Sequence, residues 1–85
     1  MEYKYRAYLY WYRPTIDTST QYVWVIAVSE KQANFFWFRH LKHVIGWAYD
    51  YDIEPTRIIK CNHEHDIGDI LGDRAKIWVD MQKLI

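Results

Sequence analysis

Cys61-Asn62-His63-Glu64-His65-Asp66 gathers a thiol, two imidazoles and two carboxylates within six residues. These are the groups that zinc and similar ions take as ligands. His40 and His43 stand three residues apart in a segment with helical patterning, and would complete a site if the strand before the loop ran beside that helix. No paired C-x-x-C knuckle accompanies them, and polar loops of this kind are ordinarily solvated. A metal-binding enzyme centred on Cys61, His63 and His65 is therefore the last of three readings. Cys61 beside either histidine also has the composition of a thiolate nucleophile with its base, but a cysteine closing a strand is ordinarily a small core filler. Glycine occurs only at positions 46, 68 and 72, so no P-loop, dinucleotide fingerprint or nucleophile elbow exists, and there is no H-E-x-x-H. The expectation is a protein without catalytic activity and without a cofactor.

Two other groupings suit recognition better than reaction. Residues 2–12 alternate strictly, placing Tyr3, Tyr5, Ala7, Leu9 and Trp11 on one face of a strand and Lys4, Arg6, Tyr8, Tyr10 and Tyr12 on the other. Cations beside tyrosines on one sheet face are how single-stranded nucleic acid is stacked and held. The glycine-bearing motif of RNA-recognition domains is absent, and cross-strand tyrosine pairs are ordinary sheet stabilisers. Residues 50–73 carry seven acids, Asp50, Asp52, Glu54, Glu64, Asp66, Asp69 and Asp73, against Arg57 and Lys60. Tyr49 and Tyr51 beside them supply the apolar contact that interface hot spots use.

The elements that must position these groups follow from periodicity and punctuation. A polar loop from Arg13-Pro14 to Thr20 leads into a β-branched and aromatic run, residues 22–28, apolar on both faces and so expected at the centre of the sheet. Ser29-Glu30-Lys31-Gln32 has the capping-box spacing, which starts a helix at Glu30. On that helix Ala33, Trp37, His40, Leu41, Val44 and Ala48 form a stripe toward the sheet, flanked by Phe36 and Ile45. Lys31, Phe35, Arg39 and Lys42 fall opposite, and Gly46 is the expected terminator, with Trp47-Ala48-Tyr49 continuing the pattern for a further turn as the alternative. Pro55 turns the chain into a third strand over residues 56–61. Residues 74–85 fit a short terminal helix, with a fourth strand over 75–80 as the alternative. The expected fold is a single α+β domain over residues 1–85, ββαβ in order: a three-stranded, mainly antiparallel sheet with one long helix on one face. Its core is expected to hold Tyr5, Leu9, Val23, Val25, Ala33, Trp37, Leu41, Val44 and Ile58.

Composition sets the outer bounds. Eighty-five residues support one hydrophobic core. With 51% hydrophobic and 26% charged residues the chain belongs to the globular class. No apolar run approaches the ~20 residues needed to span a bilayer. Met1-Glu2-Tyr3-Lys4 lacks the apolar core of a signal peptide, and the single cysteine allows no internal disulfide. A cytoplasmic protein is expected. The formal charge is zero, yet residues 1–45 carry six cations against three anions while residues 46–85 carry five against eight. Overall neutrality disfavours a dedicated nucleic-acid binder. Five Trp, eight Tyr and three Phe exceed what so small a core hides, each ring burying roughly 150–250 Å².

Val25-Ile26-Ala27-Val28-Ser29-Glu30-Lys31-Gln32-Ala33, preceded by the tyrosine-rich opening strand, runs strand, loop, strand, A-x-S-x-x-Q-A, helix. Over roughly residues 3–45 this resembles small proteins encoded by bacteriophages and prophages, some of which are anti-CRISPR inhibitors of host defence. The resemblance implies an inhibitor without enzyme activity, acting in the bacterial cytoplasm on a host enzyme such as a CRISPR–Cas nuclease complex. The expectation is thus a protein-binding module that uses its surplus aromatics and their charged neighbours: Lys4, Arg6, Tyr8, Tyr10, Tyr12, Phe35, Arg39, Tyr49, Asp50, Tyr51 and Asp52. Its partner is a host protein or a second copy of itself, not a membrane. Single-stranded nucleic acid on the basic-aromatic strand face is the alternative.

Overall fold

The computed structural model describes residues 5–61 and 66–72. Among these residues the elements follow the order β1 (Tyr5–Arg13), β2 (Gln21–Ala27), α1 (Glu30–His40), β3 (Asp50–Tyr51), β4 (Arg57–Cys61) and β5 (Ile70–Gly72). A π-helical turn, Leu41–Ile45, extends α1. The architecture is α+β with an antiparallel sheet, as the patterning implies. β1 lies inside: β2 pairs along its whole length on one side, while β4 and β3 share the other, β4 against Tyr5 to Leu9 and β3 against Tyr12 and Arg13. β5 closes the outer side of β2 through Val23 to Val25. The expected sheet of three strands thus gains two short ones, β3 and β5, of two and three residues. Pieces of that length carry no readable period.

The start of α1 is set by its cap. Ser29 is extended, and its hydroxyl accepts the Gln32 backbone N–H at 3.2 Å. The Gln32 side chain reaches back as expected, but accepts from the N–H of Val28 (2.9 Å), one residue earlier than the capping-box pattern places it. At the far end Gly46 stops the π turn with φ +82°, its N–H donating to Leu41 O at 2.9 Å. This is a backbone conformation that side chains with a Cβ rarely adopt.

The helix packs on the face of β1 that carries Tyr8, Tyr10 and Tyr12. Tyr8, Tyr10, Val25, Ala27, Ala33 and Trp37 form its buried core, with Tyr12, Val23, Phe36, Leu41, Ile45 and Ile70 packed around them. The expected assignment of the two strand faces is therefore reversed. Tyr8 and Tyr10 are enclosed rather than outward, whereas Tyr5, Ala7 and Leu9 lie on the sheet's second face with Trp24, Ile26, Ile59 and Leu71. The physical cause is that both faces of β1 are apolar, so alternation alone does not choose between them. The choice is made where Ala27 of β2 and Ala33 of α1, both lacking bulk, let the helix approach and leave room for rings. In β4 the exchange has another cause: Ile58, expected in the core, stands opposite Tyr8 on the helix face yet is 45% exposed, while Ile59, opposite Ala7, is buried on the second face.

The π turn corrects the helix stripe in turn. Val44, expected in the core, is 70% exposed, and Ile45 packs instead. One extra residue per turn delays the rotation, so the inward position falls one place later. The terminal segment 74–85 lies outside the described residues.

Candidate protein-interaction surface

The core is hydrogen-bonded to the β3 edge, and several of the exposed aromatics lie beside that edge. Trp37, fully buried, stacks on Tyr10 with ring centroids 4.9 Å apart, and its Nε1–H donates to the main-chain oxygen of Asp52 at 2.7 Å. The Tyr10 hydroxyl donates to Asn34 Oδ1 at 2.6 Å, and burial pushes its pKa far up. Asp52 is tied from three sides. Its N–H donates to Trp11 O (2.9 Å), its carboxylate accepts from the Trp11 N–H (3.3 Å), and its carbonyl receives the Trp37 indole. Burial raises the Asp52 carboxyl above the ordinary carboxylate range, with Glu54 and Asp50 adding to the rise, while the bond from the Trp11 N–H holds it down in part. Asp52, expected as a partner contact, is thus engaged inward as the pin that holds the edge.

Arg13 holds the start of β3. Its guanidinium lies 5.3 Å from the Tyr49 ring centroid and 3.6 Å from the Asp50 carboxylate, while its main-chain oxygen accepts the Tyr49 N–H at 2.8 Å. With the π turn and Gly46 directing the chain away from the helix, Trp47 and Ala48 cross to this edge. The result is an open cleft of about 300 Å³ lined by Phe38, Leu41, Lys42, Gly46, Trp47, Ala48 and Tyr51. Trp47 is 64% exposed, and Phe38, Tyr49 and Tyr51 are each between 40 and 50% exposed. Three of these four rings line the cleft, and among the described residues Lys42 is the only charged one that lines it.

On the outer side of α1, Phe35 is 61% exposed and Arg39 lies over both Phe35 and Phe36, at 5.4 and 5.2 Å from the ring centroids. A second groove, also about 300 Å³, runs past Arg39 and is lined by Phe36, His40, His43, Val44 and Ile70. His40 stacks against Trp37 at 6.3 Å, and burial lowers its pKa below the ordinary histidine value. On the second sheet face, Leu9, Tyr22, Trp24, Thr56 and Arg57 line a broader, shallower hollow.

Of the expected contact residues, Tyr51 lines the cleft, Tyr49 and Asp50 are held against Arg13 just before it, and Phe35 and Arg39 lie on the outer side of α1. Tyr8 and Tyr10 are withdrawn into the core, Tyr12 is half-buried against Trp37, and Arg6 is exposed at the other end of β1. Lys4, His63, His65 and the Cys61 side chain lie outside the described residues. No group of three or more metal-ligating side chains occurs among the described residues. Sequence reasoning missed Phe38 and Trp47. The available signal was Gly46: a residue past a helix stop is freed from the helix stripe, so Trp47 did not have to point inward.

None of the described helices is long and apolar enough to cross a membrane. No family model, no curated protein and no solved structure matches the chain.

Proposed function

We propose that this chain is a non-enzymatic protein-binding module whose contact surface is the aromatic cleft between the end of α1 and β3. The observation that carries this reading is the gathering of Phe38, Trp47 and Tyr51, all exposed, around one concavity. Scattered single apolar residues on a surface need no explanation, whereas a concave aromatic group with a single cation beside it has the composition of an interface centre. The resemblance to phage-encoded inhibitors names the partner class, a bacterial host enzyme such as a CRISPR–Cas nuclease complex. The rival reading, nucleic acid stacked on β1, loses its two central rings to the core.

The test uses immobilised full-length protein and its Trp47→Ala and Tyr51→Ala variants against bacterial lysate and purified Cas complexes, with mass spectrometry and a nuclease assay as readouts. An interface hot spot costs 2 kcal/mol or more on truncation to alanine, about 30-fold in affinity. Retention and inhibition by the wild type, and loss of both in Trp47→Ala, is the expected result. Equal retention by all three proteins refutes the assignment of the surface.

A further inference from the structure

The turn that follows β3 has the chemistry that its neighbouring cleft accepts. The cleft offers an apolar lining and one cation, Lys42. It suits an aliphatic side chain beside a carboxylate. In Asp50-Tyr51-Asp52-Ile53-Glu54, Asp50 is paired with Arg13 and Asp52 is engaged by Trp11, which leaves exposed Glu54 beside Ile53, 70% exposed at the tip.

The tip is also rigid. Asp52 N–H bonds to Trp11 O at 2.9 Å and Thr56 N–H to Leu9 O at 2.8 Å, so residues 53–55 bulge outward between two fixed points, with φ of Pro55 locked by its ring. A knob held this way loses little freedom on docking. It does not fill the cleft of its own molecule, since Ile53 remains open to solvent. Knob and cleft lie side by side, because Tyr51 lines the cleft and stands two residues before Ile53. A two-fold axis that seats one molecule's knob in the other's cleft would by symmetry seat the second knob in the first cleft, the reciprocal arrangement of an isologous dimer.

We propose that two copies of this chain associate through this surface, each Ile53 seated in the other copy's cleft and each Glu54 facing the other copy's Lys42. In the free protein the contact surface is then covered by a second copy, and a host partner competes for it. This rests on the cleft being a binding surface, as argued above.

Sedimentation equilibrium of the full chain, from low micromolar to near-millimolar concentration, tests it. A concentration-dependent dimer is expected. Ile53→Glu should raise its dissociation constant at least tenfold. Lys42→Glu and Glu54→Lys should each weaken it, and the double variant carrying both should recover most of the loss. All three positions are exposed, so folding is preserved, which circular dichroism verifies. A monomer at every concentration overturns the proposal, as does a dimer indifferent to Ile53→Glu and to the charge swap. The two readings fail separately. A monomer whose host partner is lost on Trp47→Ala refutes the dimer alone, whereas a dimer broken by Ile53→Glu whose Trp47→Ala variant keeps the host partner refutes the host-binding assignment alone.

Discussion

Trp37→Phe separates the packing role of this side chain from its role as a donor. A phenyl ring keeps an aromatic face against Tyr10, but nothing then donates to the Asp52 carbonyl, which the indole reaches at 2.7 Å. An orphaned, partly buried carbonyl costs about 1–3 kcal/mol, and the void left by the smaller ring adds roughly 1 kcal/mol. The expected loss is therefore about 2–4 kcal/mol. An 85-residue domain has on the order of 4–13 kcal/mol in total, so the variant folds with a clearly lowered margin. With a urea slope of roughly 1–3 kcal/mol per molar, the midpoint of a circular-dichroism titration should fall by on the order of 1–2 M. Tyr10→Phe is the control, because it removes the hydroxyl bonded to Asn34 and leaves Asp52 untouched. Hydrogen exchange supplies the local readout. Trp37→Phe should speed exchange of the Tyr49 and Asp52 amides, which hold β3 against β1, beyond the global change, and Tyr10→Phe should not. If Trp37→Phe costs less than about 0.5 kcal/mol, or if those two amides exchange no faster than the rest of the sheet, the indole is not what fastens the β3 edge.

Further outcomes follow from the caps and the buried ionisable groups. Because Asp52 is raised in the fold, the native state holds this proton more tightly than the unfolded chain. Its contribution is therefore present at low pH and is lost as pH rises from the ordinary value of 3.8 through the raised one. Asp52→Asn should flatten that dependence and raise the neutral-pH urea midpoint. His40 has the opposite sign: being lowered by burial, it removes stability as pH falls from 6.5 toward its folded value, a loss that His40→Gln should abolish in the same titration series. Ser29→Ala should lower stability by about 0.5–2 kcal/mol through loss of the bond to Gln32 N–H, read as a fall in melting temperature. Gly46→Ala meets no atom within 4 Å, so its cost, roughly 1–3 kcal/mol, should be purely conformational, and should weaken partner capture by redirecting Trp47.

What the sequence made legible is what local chemistry determines. The Ser29 cap, the β-branched run of β2 and the Gly46 stop each depend on residues within a turn or two of one another. All three appear where their patterns place them. The faces of β1 were not legible, since tyrosines alternate with Tyr5, Leu9 and Trp11 and neither set is polar enough to exclude itself from a core. The π turn escaped notice because one inserted residue leaves composition unchanged and moves only phase, which exchanged Val44 for Ile45. Asp52 read as a surface acid because its three backbone links to Trp11 and Trp37 depend on a two-residue strand pairing across forty positions of sequence.

The distribution of rings carries the functional argument further than their number does. The interior absorbs Tyr8, Tyr10 and Trp37, and half-shelters Tyr12 and Phe36. Of the rings left outside, Phe35 and Tyr49 each lie under an arginine, which covers part of an aromatic face with a cation that remains hydrated. No such cation is recorded over Trp47, Phe38 or Tyr51 among the described residues, and these three are the ones that line the cleft. Tyr22, 39% exposed, lies apart from them on the second sheet face, so the three cleft rings are a concentration of exposed aromatic surface rather than all of it. Such a concentration is what a contact site requires, because a ring already paired with an arginine must give up that pairing to bury against another protein, while a bare one gains the whole transfer. Trp47, the most exposed of the three, is therefore the residue whose truncation should cost the most affinity and the least stability.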